Sequence, residues 1–224
     1  INALKLVPTA VAAGRAVLLE SQKENGVAVV EMGAATTSVA IFMEGFLQYF
    51  GVINVGANHI TNDIAISLAV STEVAEEIKM KYVTAELIDN DKPMTMRFGD
   101  ESISFTKTMV NRIVEDRLID IFEHVKKEIA IAGYEKKLPE GVVLTGGGAE
   151  MRGIERFARE HMEVATRIGL PLMDVTHIDN ETKKPRFAVA IGLALMMNDD
   201  MREQETRVEE KPMSFFGKLF GGGR

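Results

Sequence analysis

The sequence predicts an α/β fold, on three observations. Two apolar runs, Val27–Val30 and Val142–Leu144, read as buried strands. Each feeds a small-residue turn: Gly33-Ala34-Ala35-Thr36-Thr37 after the first and Gly146-Gly147-Gly148 after the second. Between them the apolar residues take helical spacing, most clearly from Met109 to Ile129, where Ile113, Val114, Leu118, Ile121, Phe122 and Val125 form one stripe.

Taken in order, Leu6–Leu19, with Pro8 near its start and alanines throughout, is expected as a helix stopped around Asn25 and Gly26. Val27–Val30 follows as a strand, and Val39–Phe42 resumes it after the first turn, which is therefore a hairpin tip. Gly45 breaks this strand, and Leu47, Tyr49, Val52 and Val55 continue a strand pattern to Gly56. Asn58–Tyr82 reads as two helices divided near Ser71 and Thr72, either of which can cap the second before the acidic turn of Glu73, Glu76 and Glu77. Short strands are expected between Ala85 and Phe105, with turns at Asn90-Asp91-Pro93 and at Gly99-Asp100. The long helix then runs to Gly133, and Pro139 leads into the second glycine turn. Beyond that turn come a helix to about Met162, a short strand at Thr166–Ile168 and a helix from Phe187 to Met197.

The end of the chain changes character twice. Asp199–Lys211 is charged and poor in apolar residues, which reads as a solvated linker. Beyond Pro212, Ser214 can cap a short helix in which Phe215, Phe216, Leu219 and Phe220 share one face. From pattern alone this is either a membrane-surface anchor or a terminus that docks on the protein's own body.

Composition bounds the function. With 224 residues, 46% of them hydrophobic, the chain supports one large or two small cores. The absence of cysteine removes disulfides and thiol nucleophiles, and His59, His124, His161 and His177 lack ligand spacing, so no structural metal is expected. A formal charge of −7 without a basic stripe argues against nucleic acid as a partner. No apolar stretch reaches membrane-spanning length.

Both glycine turns offer backbone N–H groups beside small side chains, which is what a phosphate or a flat ligand needs at close approach. Either alone also fits a simple hairpin or packing turn. As a pair in this order they resemble the superfamily of actin, sugar kinases and DnaK chaperones, in which a threonine-bearing hairpin touches phosphates and a later triple glycine lies against adenosine. The stretch Gly56–Leu68 (GANHITNDIAISL) followed by Ala75–Tyr82 (AEEIKMKY) narrows the resemblance to the FtsA family of bacterial cell-division proteins. Thr61, Asn62, Asp63, Ile64 and Ala65, then Ala75, Glu76, Glu77 and Lys79, carry it; it covers about Leu6 to Leu195 and extends to the tail.

The resemblance implies an actin-like (ribonuclease H-like) fold, present as its second half. Residues 1–26 would be a crossover helix left from a first half, 27–56 and 139–185 the large subdomain, and 57–138 an inserted small α+β subdomain. Residues 186–198 would be a C-terminal helix, 199–213 a linker and 214–224 an amphipathic membrane-targeting tail. The chain opens on Ile1, and its beginning is expected to be missing. The implied cofactors are ATP and Mg²⁺. The implied partners are the FtsZ C-terminal tail, other division proteins, further copies in an actin-like filament, and the inner face of the cytoplasmic membrane at the division site. A PilM-like envelope scaffold and an active ATPase or kinase of the same superfamily are the alternatives.

Residue by residue, the family's first loop has an aspartate, three glycines, two threonines and a second aspartate, where this chain has Glu31, Met32, Gly33, Ala34, Ala35, Thr36, Thr37 and Ser38. The resemblance makes Gly33, Thr36 and Thr37 phosphate contacts, Glu31 the candidate catalytic carboxylate and the holder of Mg²⁺ through water, and Gly146, Gly147 and Gly148 the adenosine contacts. Ala34 or Ala35 would be strained by roughly 1 to 2 kcal/mol if the loop needed a left-handed conformation there. ATP binding is expected to survive these departures and hydrolysis to be weakened or lost. Glu76 and Lys79, three apart on one helix, form a salt bridge by spacing; the resemblance adds contact with the ribose or base.

Overall fold

The computed structural model describes residues 6–86, 92–99, 101–172 and 180–209. The tail residues Phe215, Phe216, Leu219 and Phe220, the end of the expected linker, and the turn residues Asn90, Asp91 and Asp100 lie outside them.

The first helical segment is two helices, α1 (Thr9–Val17) and α2 (Glu20–Asn25), where the alanine-rich pattern predicts one. Leu18 and Leu19 are extended between them. The break is held from outside the helix. The Leu172 amide bonds Ala16 O at 2.8 Å, and the Arg167 guanidinium reaches Val17 O at 3.1 Å and Gln22 Oε1 at 3.0 Å. Burial lowers the pKa of that guanidinium against the opposing charge of Glu140, so the corner rests on a partly desolvated cation.

A five-stranded mixed sheet follows in the order β3-β2-β1-β6-β7. Strands β1 (Val27–Met32), β2 (Thr37–Met43) and β3 (Phe46–Ile53) form an antiparallel meander, while β6 (Val142–Thr145) and β7 (Thr166–Ile168) are parallel to β1. Between β3 and β6 the chain inserts α3 (Ala57–Leu68), α4 (Thr72–Tyr82), the hairpin of β4 (Pro93–Phe98) and β5 (Glu101–Thr106), and α5 (Lys107–Ile131). Ser71 caps α4 by accepting from Val74 N, and Thr106 caps α5 by accepting from Met109 N at 3.1 Å. Helix α6 (Ile154–Met162) leads into β7, and α7 (Ala188–Glu209) ends the described chain.

Alternation along the strands separates two cores. Ala28, Val30, Met32, Val39, Ile41 and Leu144 face α3, α4, α5 and α6, with Phe122, Leu118 and Val125 of α5 at the centre. Val27, Val29, Ala40, Phe42 and Val143 face α1, which α7 backs. The α1–α7 crossing is close enough that a Cβ on Gly192 would run into the backbone of Ala12.

Helix α7 continues to Glu209, through residues expected to be linker from 199 onward. Glu, Arg and Gln are good helix formers, and extending an existing helix costs far less than starting one. Arg15 of α1 also holds Asp199 at 2.9 Å. Few apolar residues therefore did not mean an irregular chain.

Candidate functional site

Because β1 and β6 are parallel neighbours, with Glu31 beside Thr145 in register, both glycine turns leave the sheet at the same carboxyl edge. This is the position at which open α/β sheets receive ligands. The sequence separates the two turns widely, and the topology makes them adjacent.

The first turn is closed by Gly33 N donating to Thr36 O at 2.9 Å. Its carbonyls are taken by the first turn of α3: Ala57 N donates to Gly33 O at 2.9 Å and Asn58 N to Ala34 O at 2.8 Å. Gly56, which precedes the helix, makes this docking possible. A Cβ there would lie 2.7 Å from Ala34 O and 2.8 Å from both Gly33 O and Thr36 N. With the carbonyls engaged by the helix, the amides of Ala34, Ala35 and Thr36 donate to no group among the described residues. Ala34 and Ala35 are exposed, and neither has positive φ, so the strain expected from their methyl groups does not arise.

The two threonines differ in setting. Thr37 is fully buried and donates its hydroxyl proton to Val55 O at 2.8 Å. Thr36 is half-buried at the turn. Glu31 points to the other face of the sheet, where it is 7% exposed, and burial raises its pKa against an opposing hydrogen bond from Thr9. The Thr9 and Ser38 hydroxyl oxygens lie 3.1 Å apart.

The second turn depends on its glycines. Gly146 has φ +88°, and a Cβ there would sit 2.6 Å from Met32 O and 2.7 Å from a Glu31 carboxylate oxygen. A Cβ on Gly148 would meet the Met32 side chain at 2.5 Å. Gly147 faces open space. Below the turn, Gly146 N donates to Pro185 O at 3.2 Å, and the Thr145 hydroxyl lies 3.0 Å from Gly169 O and 3.3 Å from Pro185 O. Arg186 pairs with Glu150, and its hydrogen bonds hold that carboxyl below the usual carboxylate range.

Glu76 and Lys79 form the predicted salt bridge at 2.7 Å, with the Lys79 side chain 9% exposed. They also bind α3: Lys79 Nζ donates to Thr61 Oγ1 at 2.7 Å and to Ala57 O at 3.2 Å, and Thr61 Oγ1 donates to Glu76 Oε2 at 2.5 Å. Burial alone would raise the pKa of Glu76, but the hydrogen bonds from Lys79 and Thr61 and the Lys79 charge outweigh it and hold the value low. The pair thus stands on the helix turn that holds the first loop. Gly56, Asn58 and Thr61 were not assigned roles by sequence reasoning; the signal available was a glycine directly before an amphipathic helix.

Among the described residues no three His, Cys, Asp or Glu side chains gather as a metal site, and no helix is long and apolar enough to cross a membrane. Free amides beside small residues suit phosphate oxygens. One carboxylate near them suits a Mg²⁺ ion that takes its other ligands from phosphate and water.

Solved structures share this architecture. The chain superposes on MreB5 of Spiroplasma citri bound to ADP with TM-score 0.69, at 18% identity over 88% of this chain and 60% of that one. It superposes on the PilM-PilN type IV pilus biogenesis complex with TM-score 0.65, at 20% identity over 86% and 52%. The fold is therefore actin-like, built on a sheet whose two carboxyl-edge loops meet.

The family model for Cell division protein FtsA matches residues 28–192. Cell division protein FtsA of Pseudomonas aeruginosa is 34% identical over 82% of this chain and 45% of its own length. FtsA of Rhizobium meliloti is 30% identical over 98% and 50%, and that of Borreliella burgdorferi 32% over 88% and 49%. The chain belongs to the FtsA family of cell-division proteins. It spans about half the length of the curated relatives it matches.

Proposed function

We propose that this chain supplies one wall of an ATP–Mg²⁺ site in a division protein that self-assembles and tethers FtsZ to the inner face of the cytoplasmic membrane. The observation that carries the nucleotide reading is the meeting of the two loops at the ends of β1 and β6, with the amides of Ala34, Ala35 and Thr36 free and Gly147 open. Those amides and the Thr36 hydroxyl donate to phosphate oxygens, Gly33 allows close approach, and Gly146–Gly148 receive the adenosine. Glu31 holds Mg²⁺ through water. Bound Mg²⁺ would neutralise phosphate charge at that point. Glu76 and Lys79 close the site from α4 through their grip on the first turn of α3. Burial raises the pKa of Glu31, which supports weak hydrolysis or none.

Partner binding is assigned to the inserted segment. A cavity of about 380 Å³ between α3 and α5 is lined by Asp63, Ile66, Ile113, Asp116, Arg117 and Asp120. Arg117 bridges Asp63 at 2.7 Å and Asp120 at 2.8 Å, and Ile66 is 79% exposed. An apolar wall beside ion pairs suits a short amphipathic peptide such as the FtsZ tail. Membrane attachment is assigned to Phe215, Phe216, Leu219 and Phe220. Each Phe contributes on the order of 1.5 to 3 kcal/mol if fully buried, so a single tail binds weakly and a polymer of tails binds well.

The test uses the chain joined to the first half of an FtsA relative. ATP affinity is measured with and without Mg²⁺, and binding of FtsZ-tail and PilN peptides is measured in parallel. Mg²⁺-dependent ATP binding that falls with Thr36→Ala, together with capture of the FtsZ tail alone, is the expected result. Capture of the PilN peptide in its place overturns the division reading, and no ATP binding overturns the site.

A further inference from the structure

Glu150 and Arg186 are tied more firmly than a surface ion pair requires. Three nitrogens of Arg186 donate to the one carboxylate: the backbone N to Glu150 Oε1 at 3.2 Å, Nε to Oε1 at 2.7 Å and to Oε2 at 2.9 Å, and Nη2 to Oε2. This side-on fork fixes the plane of the guanidinium as well as its position, which a lysine ammonium could not do. The Arg186 side chain is still 46% exposed, against 19% for Glu150. Its Nη1 donates to no group among the described residues.

The second glycine turn sets the place of this pair. Glu150 closes the 3₁₀ turn Gly147–Glu150, and Arg186 lies in the 3₁₀ turn Pro185–Phe187, whose Pro185 carbonyl accepts from Gly146 N. The guanidinium therefore stands at the rim of the turn in which Gly147 faces open space. A flat cation, fixed in plane beside a turn without side chains, offers one wall of a slot for a flat aromatic ring.

We propose that Arg186 is the residue that recognises the nucleobase: its guanidinium plane, held by Glu150, stacks on a purine lying over Gly147. This rests on the nucleotide reading above and adds to it the group that distinguishes a nucleotide from bare phosphate. Glu150 is a positioning residue, since it touches Arg186 and not the ligand. Stacking does not read the hydrogen-bonding edge of a base, so adenine and guanine are both accepted and the smaller pyrimidines are held less well. Charge alone would give Glu150 the opposite effect. A carboxylate repels the phosphates of a nucleotide, so removing its charge strengthens binding unless its task is to fix the guanidinium.

The test uses the chain joined to an FtsA first half and compares Kd values for ATP, GTP, CTP and inorganic triphosphate by calorimetry. Arg186→Ala is expected to weaken ATP and GTP about tenfold, CTP less and triphosphate not at all. Arg186→Trp, which stacks but cannot pair with Glu150, should hold ATP within about threefold of the parent. Glu150→Gln should weaken ATP about three- to fivefold by freeing the guanidinium plane. Equal losses for ATP and triphosphate in Arg186→Ala would make the residue a counter-charge to phosphate and overturn the proposal. Arg186→Trp as weak as Arg186→Ala, or tighter ATP binding in Glu150→Gln, overturns it as well. A parent protein that binds triphosphate as tightly as ATP overturns the base contact alone; one that binds neither overturns the nucleotide reading with it.

Discussion

The two glycine turns stand side by side but owe their shapes to different causes. The second is shaped by its own glycines: Gly146 needs positive φ, and both Gly146 and Gly148 leave no room for a Cβ against Glu31 and Met32. The first is shaped from outside, by two amides of α3 that take its carbonyls and by Gly56 beneath them. This difference explains how Ala34 and Ala35 are accommodated where the family has glycines. A turn held by hydrogen bonds at its carbonyls needs no left-handed residue, and its sensitivity to mutation moves to the residue that allows the docking.

The comparison predicts a graded series. Gly146→Ala should have the largest effect, about 3 kcal/mol or more of lost stability, because left-handed strain adds to a backbone clash with Met32 O. Urea unfolding measures it, and a loss under 1 kcal/mol would break the account of the second loop. Gly56→Ala should follow, at about 2 to 3 kcal/mol, by lifting α3 from the first turn. Hydrogen exchange should then quicken at Ala57 and Asn58, whose amides lose their acceptors.

Thr37→Val should cost about 1 to 3 kcal/mol by removing the donor from the half-buried Val55 carbonyl. It should leave phosphate contacts in place, whereas Thr36→Ala should cost little stability and lower nucleotide affinity. Equal effects of the two on affinity would contradict the division of roles.

Glu31→Gln gives a prediction in pH. Burial holds the folded pKa of Glu31 above the ordinary 4.5, so the folded state keeps its proton to higher pH than the unfolded chain does. The stability from this group is present in full below the unfolded pKa and is lost as pH rises through the folded value. The glutamine variant should therefore gain on the parent as pH rises from about 4.5 towards 8, seen as a growing difference in melting temperature. The smallest effect is expected for Ala34→Gly, a loss of under about 1 kcal/mol through chain entropy alone.

Much of the fold was legible because apolar period reports burial directly: the β1–β2 hairpin, the α3–α4 break at Ser71, the stripe of α5 and the short β7 all lie where their patterns place them. The break between α1 and α2 was not, because Arg167 and Leu172, which hold it, are distant in sequence. The helical run to Glu209 was missed because low apolar content was read as irregular chain. At the site, the triple glycine was visible as composition. The hydroxyl partner of Thr37, the carbonyl that Lys79 binds and the need for glycine at position 56 are set by helices docking on loops, which no local spacing records.

The claim that two separate loops form one nucleotide site is tested most directly by amide NMR of the chain joined to an FtsA first half, titrated with ATP and Mg²⁺. The account predicts that Ala34, Ala35, Thr36 and Gly147 shift together along one binding curve; movement at one loop while the other stays fixed at saturation would contradict it.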